Sequence, residues 1–368
     1  MSEYCLYGVE CSYYAAKIRA YLQFKQIAFH ETQASRRVYA QTILPRVGWP
    51  VVPVLVTPDD VTLQDTSDMF DALEARHPTP AALPARAAAR VLSYLLEFLG
   101  DEWLKLPAMH YRWNYNYEFI VAEFGRNNDP DLPAAKQREI GHKIAPRFHG
   151  WLPHLGVTPR TAAQIESDYL ALLRLFDQHL QACPYLLGGA PTLGDFAFFG
   201  PLYAHLDRDP VSGAILRRQA PRVGQWIDRL RAGCTDAVAL DAAAALPPSL
   251  LPVLRLLLRD FVPIVVAEIE HVQRWLADHS DLDELPRHCG EHRVVFGRGS
   301  STAITETRAL FPYNQWMLQR LHDAFKAAPA ADQNETLALF EQIGARALLA
   351  IPLRLRVVRR DFRLRRAA

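Results

Sequence analysis

Two short stretches near the start of the chain carry side chains that could hold and polarise an anion. Cys11 and Ser12 follow the apolar run Tyr4-Cys5-Leu6-Tyr7 and Gly8. They precede apolar Ile18, Tyr21 and Leu22 with basic Lys17, Arg19 and Lys25, a spacing that predicts a helix. A hydroxyl or thiol at a helix start sits in positive potential, beside N–H groups without partners inside the helix. An anion such as a thiolate is stabilised there. Further on, Val52-Pro53-Val54-Leu55 reads as a strand, and Leu63-Gln64-Asp65-Thr66 opens a second helix that ends near Arg76-His77-Pro78.

This ordered set resembles the glutathione transferase superfamily. The resemblance implies a thioredoxin-like domain over residues 1–80 and glutathione as co-substrate. Ser12 would then donate a hydrogen bond to the glutathione thiolate. Pro53 would be cis and leave the N–H and C=O of Val52 free for the cysteinyl residue. Asp65 would take the γ-glutamyl ammonium and Thr66 the α-carboxylate. Arg36 or Arg37 would meet the glycyl carboxylate. Arg19 stands seven residues after Ser12, which makes Ser12 the aligned residue in the family's serine and cysteine classes. Aligned one place earlier, Cys11 would instead imply thiol transfer through a mixed disulfide. Tyr13 stands where proline is usual, the loop with Trp49 and Pro50 is longer, and Asp65-Thr66 replaces the commoner Glu-Ser. A third reading keeps the fold as a non-catalytic interaction scaffold, as in metaxin-like proteins.

The elements that must position these residues fall into three segments. The chain has 368 residues, of which 50% are hydrophobic, enough for two or three domains and a sizeable core. Lys+Arg 41 against Asp+Glu 40 gives a net charge of +1, which argues against a polyelectrolyte partner for the whole chain. Five scattered cysteines suggest no disulfide framework and fit a reducing, cytoplasmic setting. No signal peptide or membrane span is evident; Leu251 to Val266 is interrupted by Arg255, Arg259 and Asp260.

Residues 85–235 read as all-helical. Val91, Leu92, Leu95, Leu96 and Leu99 show helical spacing. Gly188-Gly189 is followed by Thr192 and Asp195 at capping-box spacing, then the apolar run Phe196 to Phe199. That element also occurs in the family's helical C-terminal domain, and it reads as structural. The resemblance places the acceptor site between the two domains, near Tyr13, Trp49, Trp103 and the run His110-Tyr111-Arg112-Trp113. Aromatics with polar handles suit a hydrophobic, planar electrophile. The same spacing also describes a packed helix core with Arg112 in an ordinary ion pair, and sequence does not separate the two. A homodimer is implied by the resemblance alone.

Residues 236–368 exceed the two-domain pattern and read as a mainly helical extension. An Ala-rich linker, Asp241 to Ala245, leads to a helix from Leu250 to His279, a hairpin around Val294 to Thr305, and helices at Tyr313 to Phe325 and Glu335 to Leu349. Gly297-Arg298-Gly299-Ser300-Ser301 reads as a turn, not a phosphate loop. His288-Cys289-Gly290-Glu291-His292 has metal-type donors but no second half-site, so no metal is expected. The arginines from Arg354 to Arg366 read as a solvated or helix-flanking tail, without the aromatic pattern of a nucleic-acid binder.

Overall fold

The computed structural model describes residues 3–234 and 246–367. The Ala-rich linker at Asp241 to Ala245, and the boundary between the second and third segments, lie outside the described residues.

The N-terminal segment is thioredoxin-like. Strands β1 (Tyr4–Gly8), β2 (Phe29–Gln33), β3 (Val54–Val56) and β4 (Thr62–Gln64) form one sheet in the order β2-β1-β3-β4. The β1–β2 pair is parallel and the other two are antiparallel, with Leu6 opposite Glu31 and Leu55. Buried Leu6, Val54, Leu55 and Val56 make the sheet's hydrophobic centre. Two helices, α1 (Tyr13–Phe24) and α2 (Thr66–Arg76), pack together against it. Tyr21 of α1 meets Phe70 of α2 with ring centroids 4.7 Å apart.

The helical segment runs α3 (Ala87–Phe98), a wide turn at Leu99–Trp103, α4 (Lys105–Tyr115), α5 (Tyr117–Asn128), α6 (Ala134–His149) and α7 (Ala162–Ala182). It continues through α8 (Leu193–Pro201), α9 (Pro210–Gln219) and α10 (Pro221–Arg231). Every residue of α8 is buried. Thr192 and Asp195 form the expected capping box, and Asp195 also accepts from Leu186 N and Trp226 Nε1. Helix α1 packs on α8, where Phe196 touches Tyr21 and Phe24. Gly200 lets the two backbones meet: a Cβ there would lie 2.6 Å from the Tyr13 carbonyl oxygen.

The extension is more mixed than its sequence suggests. Helix α11 (Leu251–Asp278) carries Pro263 within it and leads to the hairpin β5 (Glu291–Phe296) and β6 (Ile304–Ala309). Helix α12 (Pro312–Lys326) starts on proline, as its sequence predicts. The helix expected over Glu335 to Leu349 is instead α13 (Ala330–Gln342) and a short turn at Arg346–Ala350. Gly344, at φ +78°, ends the first before the second begins. The arginine-rich tail is a second hairpin, β7 (Val357–Arg360) and β8 (Arg363–Arg366), turning on Asp361 and Phe362, both at positive φ.

One hydrophobic core runs through all three segments. Helix α3 is held between α8 and the extension's α12 and α13. At this junction Glu97 is buried with its carboxylate 2.9 Å from Lys17 Nζ and 3.2 Å from Arg320 Nη2, and it accepts from Ser67 Oγ at 2.7 Å. Burial alone would raise its pKa, but Lys17 and Arg320 hold it down at about 2. Removing this carboxylate leaves buried Lys17 with Asp101 alone and Arg320 with Asp71 alone. Glu97→Ala should therefore lower stability by roughly 3–5 kcal/mol, read as a fall in thermal midpoint. A midpoint within a degree of the wild type would show that the junction does not depend on it.

Candidate functional site

Ser12 caps α1, its oxygen accepting from Ala15 N at 3.3 Å. Its own hydrogen has no acceptor among the described residues. It is half-buried, whereas Cys11 beside it is 3% exposed. Burial pushes the Cys11 thiol up, and Arg112 and Arg208 offset this only in part. Asn127 Nδ2 donates to its sulfur at 3.4 Å.

The Val52–Pro53 peptide is cis. The backbone N–H and C=O of Val52 make no hydrogen bond among the described residues, because β3 begins only at Val54. Asp65 caps α2 from a left-handed φ of +78°. One carboxylate oxygen accepts from Ser67 N at 3.0 Å. The other accepts from the Tyr313 hydroxyl at 2.8 Å and lies 3.7 Å from Arg359 Nη1. The Thr66 hydroxyl has no partner among the described residues and is nearly buried.

Arg359, with its side chain 8% exposed, also bonds Asp68 at 2.7 Å and Gln64 Oε1 at 2.6 Å. Phe362, at the tip of the same hairpin, packs on the cluster of Ala34, Ile43, Val47 and Val54, as do Trp49, Val51 and Val52. The tail is therefore not a solvated flank. Arg359 finds Asp65 and Asp68 on the thioredoxin-like domain, whereas Arg356, Arg360, Arg363 and Arg365 pair with carboxylates of the extension itself. Tyr313 carried no signal in the sequence; only the packing of α12 brings it to Asp65.

The remaining expected site residues do not converge. Arg36 lies on the surface with Asp129, 3.2 Å away, and Arg37 bonds Gln41 in its own turn at 3.0 Å. His110, Tyr111, Arg112 and Trp113 are only 2 to 3% exposed. They sit inside the helical domain and not on a cleft wall, because α4 packs against α7 on one side and Leu202–Asp207 on the other. His110 bonds Glu166 at 2.8 Å. Arg112 grips Asp209 with two nitrogens at 2.7 and 2.8 Å, and donates to Cys11 O at 2.8 Å. It thus fixes the turn carrying Ser12 from behind. Trp103 is covered by the extension, its ring stacked 6.1 Å from Phe296. Tyr13 is buried between Tyr14 and His205. Only Trp49 remains half-open, with Arg287 and Arg363 over its ring.

Among the described residues no helix is long and apolar enough to cross a membrane, and no three His, Cys, Asp or Glu side chains group as metal ligands. His292, from the stretch with metal-type donors, is buried with both ring nitrogens unpartnered.

Two sequence-family models match the chain. One, described as glutathione S-transferase, N-terminal domain, covers residues 6–81. The other, glutathione S-transferase, C-terminal domain, covers residues 158–229. No curated protein matches in sequence. Among solved structures, a glutathione S-transferase from Rhodospirillum rubrum is 19% identical, covering 68% of this chain and 91% of its own, at a TM-score of 0.42. One from Methylobacterium radiotolerans, in complex with glutathione sulfonate, is 20% identical over 66% and 97%, at 0.40. The β-etherase LigF from Sphingobium sp. strain SYK-6 is 19% identical over 63% and 96%, at 0.43.

The buried, protonated state of Cys11 bears directly on thiol-transfer chemistry. With limiting iodoacetamide at neutral pH, the partly exposed Cys183 should be alkylated well before Cys11. Peptide mapping by mass spectrometry reads the order. Preferential labelling of Cys11 would reinstate the mixed-disulfide reading.

Proposed function

The chain belongs to the glutathione S-transferase superfamily, and on that premise we propose that it is a glutathione-dependent transferase of the serine type. One observation carries the reading: hydrogen-bonding groups of Ser12, Val52 and Thr66 stand unspent at the heads of α1, β3 and α2. Such groups, near two helix N-termini, suit a tripeptide thiol with two carboxylates. In this reading the Ser12 hydroxyl donates to the sulfur and lowers its pKa. The thiolate then attacks an electrophile reached past Trp49, and the electrophile's leaving group departs with the bonding pair. The Val52 backbone pairs with the cysteinyl residue, and Thr66 with the α-carboxylate. Asp65 takes the ammonium once Tyr313 yields it. Of the acceptor residues expected from sequence, Trp49 keeps that role; the buried His110–Trp113 run and Trp103 act by positioning.

A second reading is favoured by Asp65 itself. Its carboxylate is already engaged by Tyr313 and Arg359, and an ammonium placed there would meet the guanidinium. On that ground the scaffold is a non-catalytic interaction protein whose own extension occupies the γ-glutamyl position. A cytoplasmic homodimer belongs to the first reading. It would need a face other than that of α3, whose apolar residues are covered by α8, α12 and α13.

Calorimetry with glutathione separates the two. Under the transferase reading the wild type binds, and Asp65→Ala weakens binding about tenfold to a hundredfold. Tyr313→Phe, which frees the carboxylate, tightens it. Absence of binding by both the wild type and Tyr313→Phe leaves the scaffold reading. If glutathione does bind, Ser12→Ala should cut turnover on an aromatic electrophile about 10²-fold with little change in affinity. Equal losses in both would reassign Ser12 to binding alone.

A further inference from the structure

The loop between α11 and β5 places Arg287 within reach of two indoles. Its guanidinium carbon lies 5.6 Å from the Trp49 ring centroid and 5.3 Å from that of Trp151. Cation–π attraction of this kind holds the guanidinium charge without using its edge of N–H donors. Among the described residues nothing accepts from that edge: Arg287 has no hydrogen bond and no carboxylate within ion-pair distance. It remains open to solvent, so the vacant edge is reachable.

The surroundings are rich in donors and poor in acceptors. Arg363 sits 4.8 Å from the Trp49 ring, and its nearest acceptors are Glu284 at 3.6 Å and Gly48 O at 3.5 Å. Arg147, from α6, is unpaired among the described residues and close enough to repel Arg287. The Trp49 indole N–H is closed off from water and has no partner either. Partial burial and the charges of Arg147 and Arg363 hold the Arg287 pKa below its usual value. Arg217, by contrast, is paired with both Asp207 and Asp228. Three guanidiniums share one carboxylate, Glu284 paired with Arg363, and an anion among them relieves the remaining repulsion.

We propose that the extension builds a carboxylate-binding site at Trp49, with Arg287 as the gripping group and Arg363 and Arg147 as flanking charges. Tyr14, two residues after Ser12, is close enough to act on Arg287, which puts this site beside the cap of α1. The ligand is a carboxylate, held in bidentate fashion by a flat guanidinium. Two sources share that chemistry: the glycyl end of glutathione, and an acid group on an aromatic acceptor that stacks with Trp49 and Trp151. Naming the ligand a substrate rests on the transferase reading; the anion site itself does not.

The test titrates benzoate, glutathione, and glutathione esterified at its glycyl carboxylate into the full-length protein at fixed ionic strength, following calorimetry and tryptophan fluorescence. Arg287→Gln is compared with wild type, with Arg218→Gln as a control for loss of one surface charge and Arg287→Lys to keep charge without the planar fork. Circular dichroism confirms that each variant folds. If the acceptor supplies the carboxylate, wild type binds benzoate, Arg287→Gln weakens it about tenfold, Arg287→Lys recovers only part, and esterification leaves glutathione affinity unchanged. If glutathione supplies it, esterification weakens binding to wild type but not to Arg287→Gln. Benzoate binding that depends on Arg287, with no glutathione binding at all, would overturn the transferase reading and leave this site standing. The site is overturned if wild type binds neither carboxylate, or if Arg287→Gln changes affinity no more than Arg218→Gln.

Discussion

The structure depends on a buried charge that no single segment could tolerate alone. Glu97 lies inside α3; Lys17 of α1 and Arg320 of α12 neutralise it, and Ser67 of α2 donates a hydrogen bond to it. Lys17 also bonds Asp101 at 2.6 Å, where burial pushes the carboxyl up to about 7. Two carboxylates around one ammonium cannot both ionise freely, and the cation from the extension settles which does. Removing Lys17 or Arg320 leaves the buried Glu97 carboxylate only partly compensated. The thioredoxin-like domain, the helical domain and the extension are thereby locked in one arrangement, and the head of α1 with it.

That lock explains why the extension reaches the ligand-binding face. Arg320 on α12 is held at Glu97 and Asp71. With α12 so anchored, Tyr313, two turns earlier, meets Asp65. The β7–β8 hairpin follows, and its arginines meet Gln64, Asp65, Asp68 and Asp283. Asp65 and Asp68 of the thioredoxin-like domain are matched by one hairpin arginine, Arg359, a local pairing that balanced net charge conceals. The same segment that covers Asp65 leaves Arg287 beside Trp49 unpaired, so it closes one polar site and opens another.

The helical domain supports the site from behind. Arg112 ties Asp209 to the carbonyl of Cys11, and Gly200 admits α8 against Tyr13. Both contacts place Ser12 without touching any ligand. The aromatics of α4, which by composition suit a substrate pocket, pack inside the helical domain instead: Trp113 against α5 and α6, Tyr111 against α7. Tyr111 and Tyr169 meet at 5.1 Å.

Local order was legible in the sequence wherever a residue's conformation follows from its neighbours in the chain. Ser12 at a helix head, Asp65 at another, the capping box of Thr192 and Asp195, and proline at the start of α12 each follow from caps and spacing within a few residues. The helical second domain follows from the same periodicities, and the thioredoxin-like sheet from the family resemblance of residues 1–80. What lies opposite each side chain did not follow, because it is set by elements tens to hundreds of residues apart. Tyr313 is 248 positions from Asp65 and Arg359 is 291 from Asp68. Helical spacing fixes which residues of α4 share a face, and only packing decides whether that face meets solvent or another helix. The sequence by itself determined the fold class and the two helix heads that suit an anion. The tertiary structure alone decided that the extension holds Asp65 and that Arg287 lacks a carboxylate, since both depend on charges brought together by a shared core.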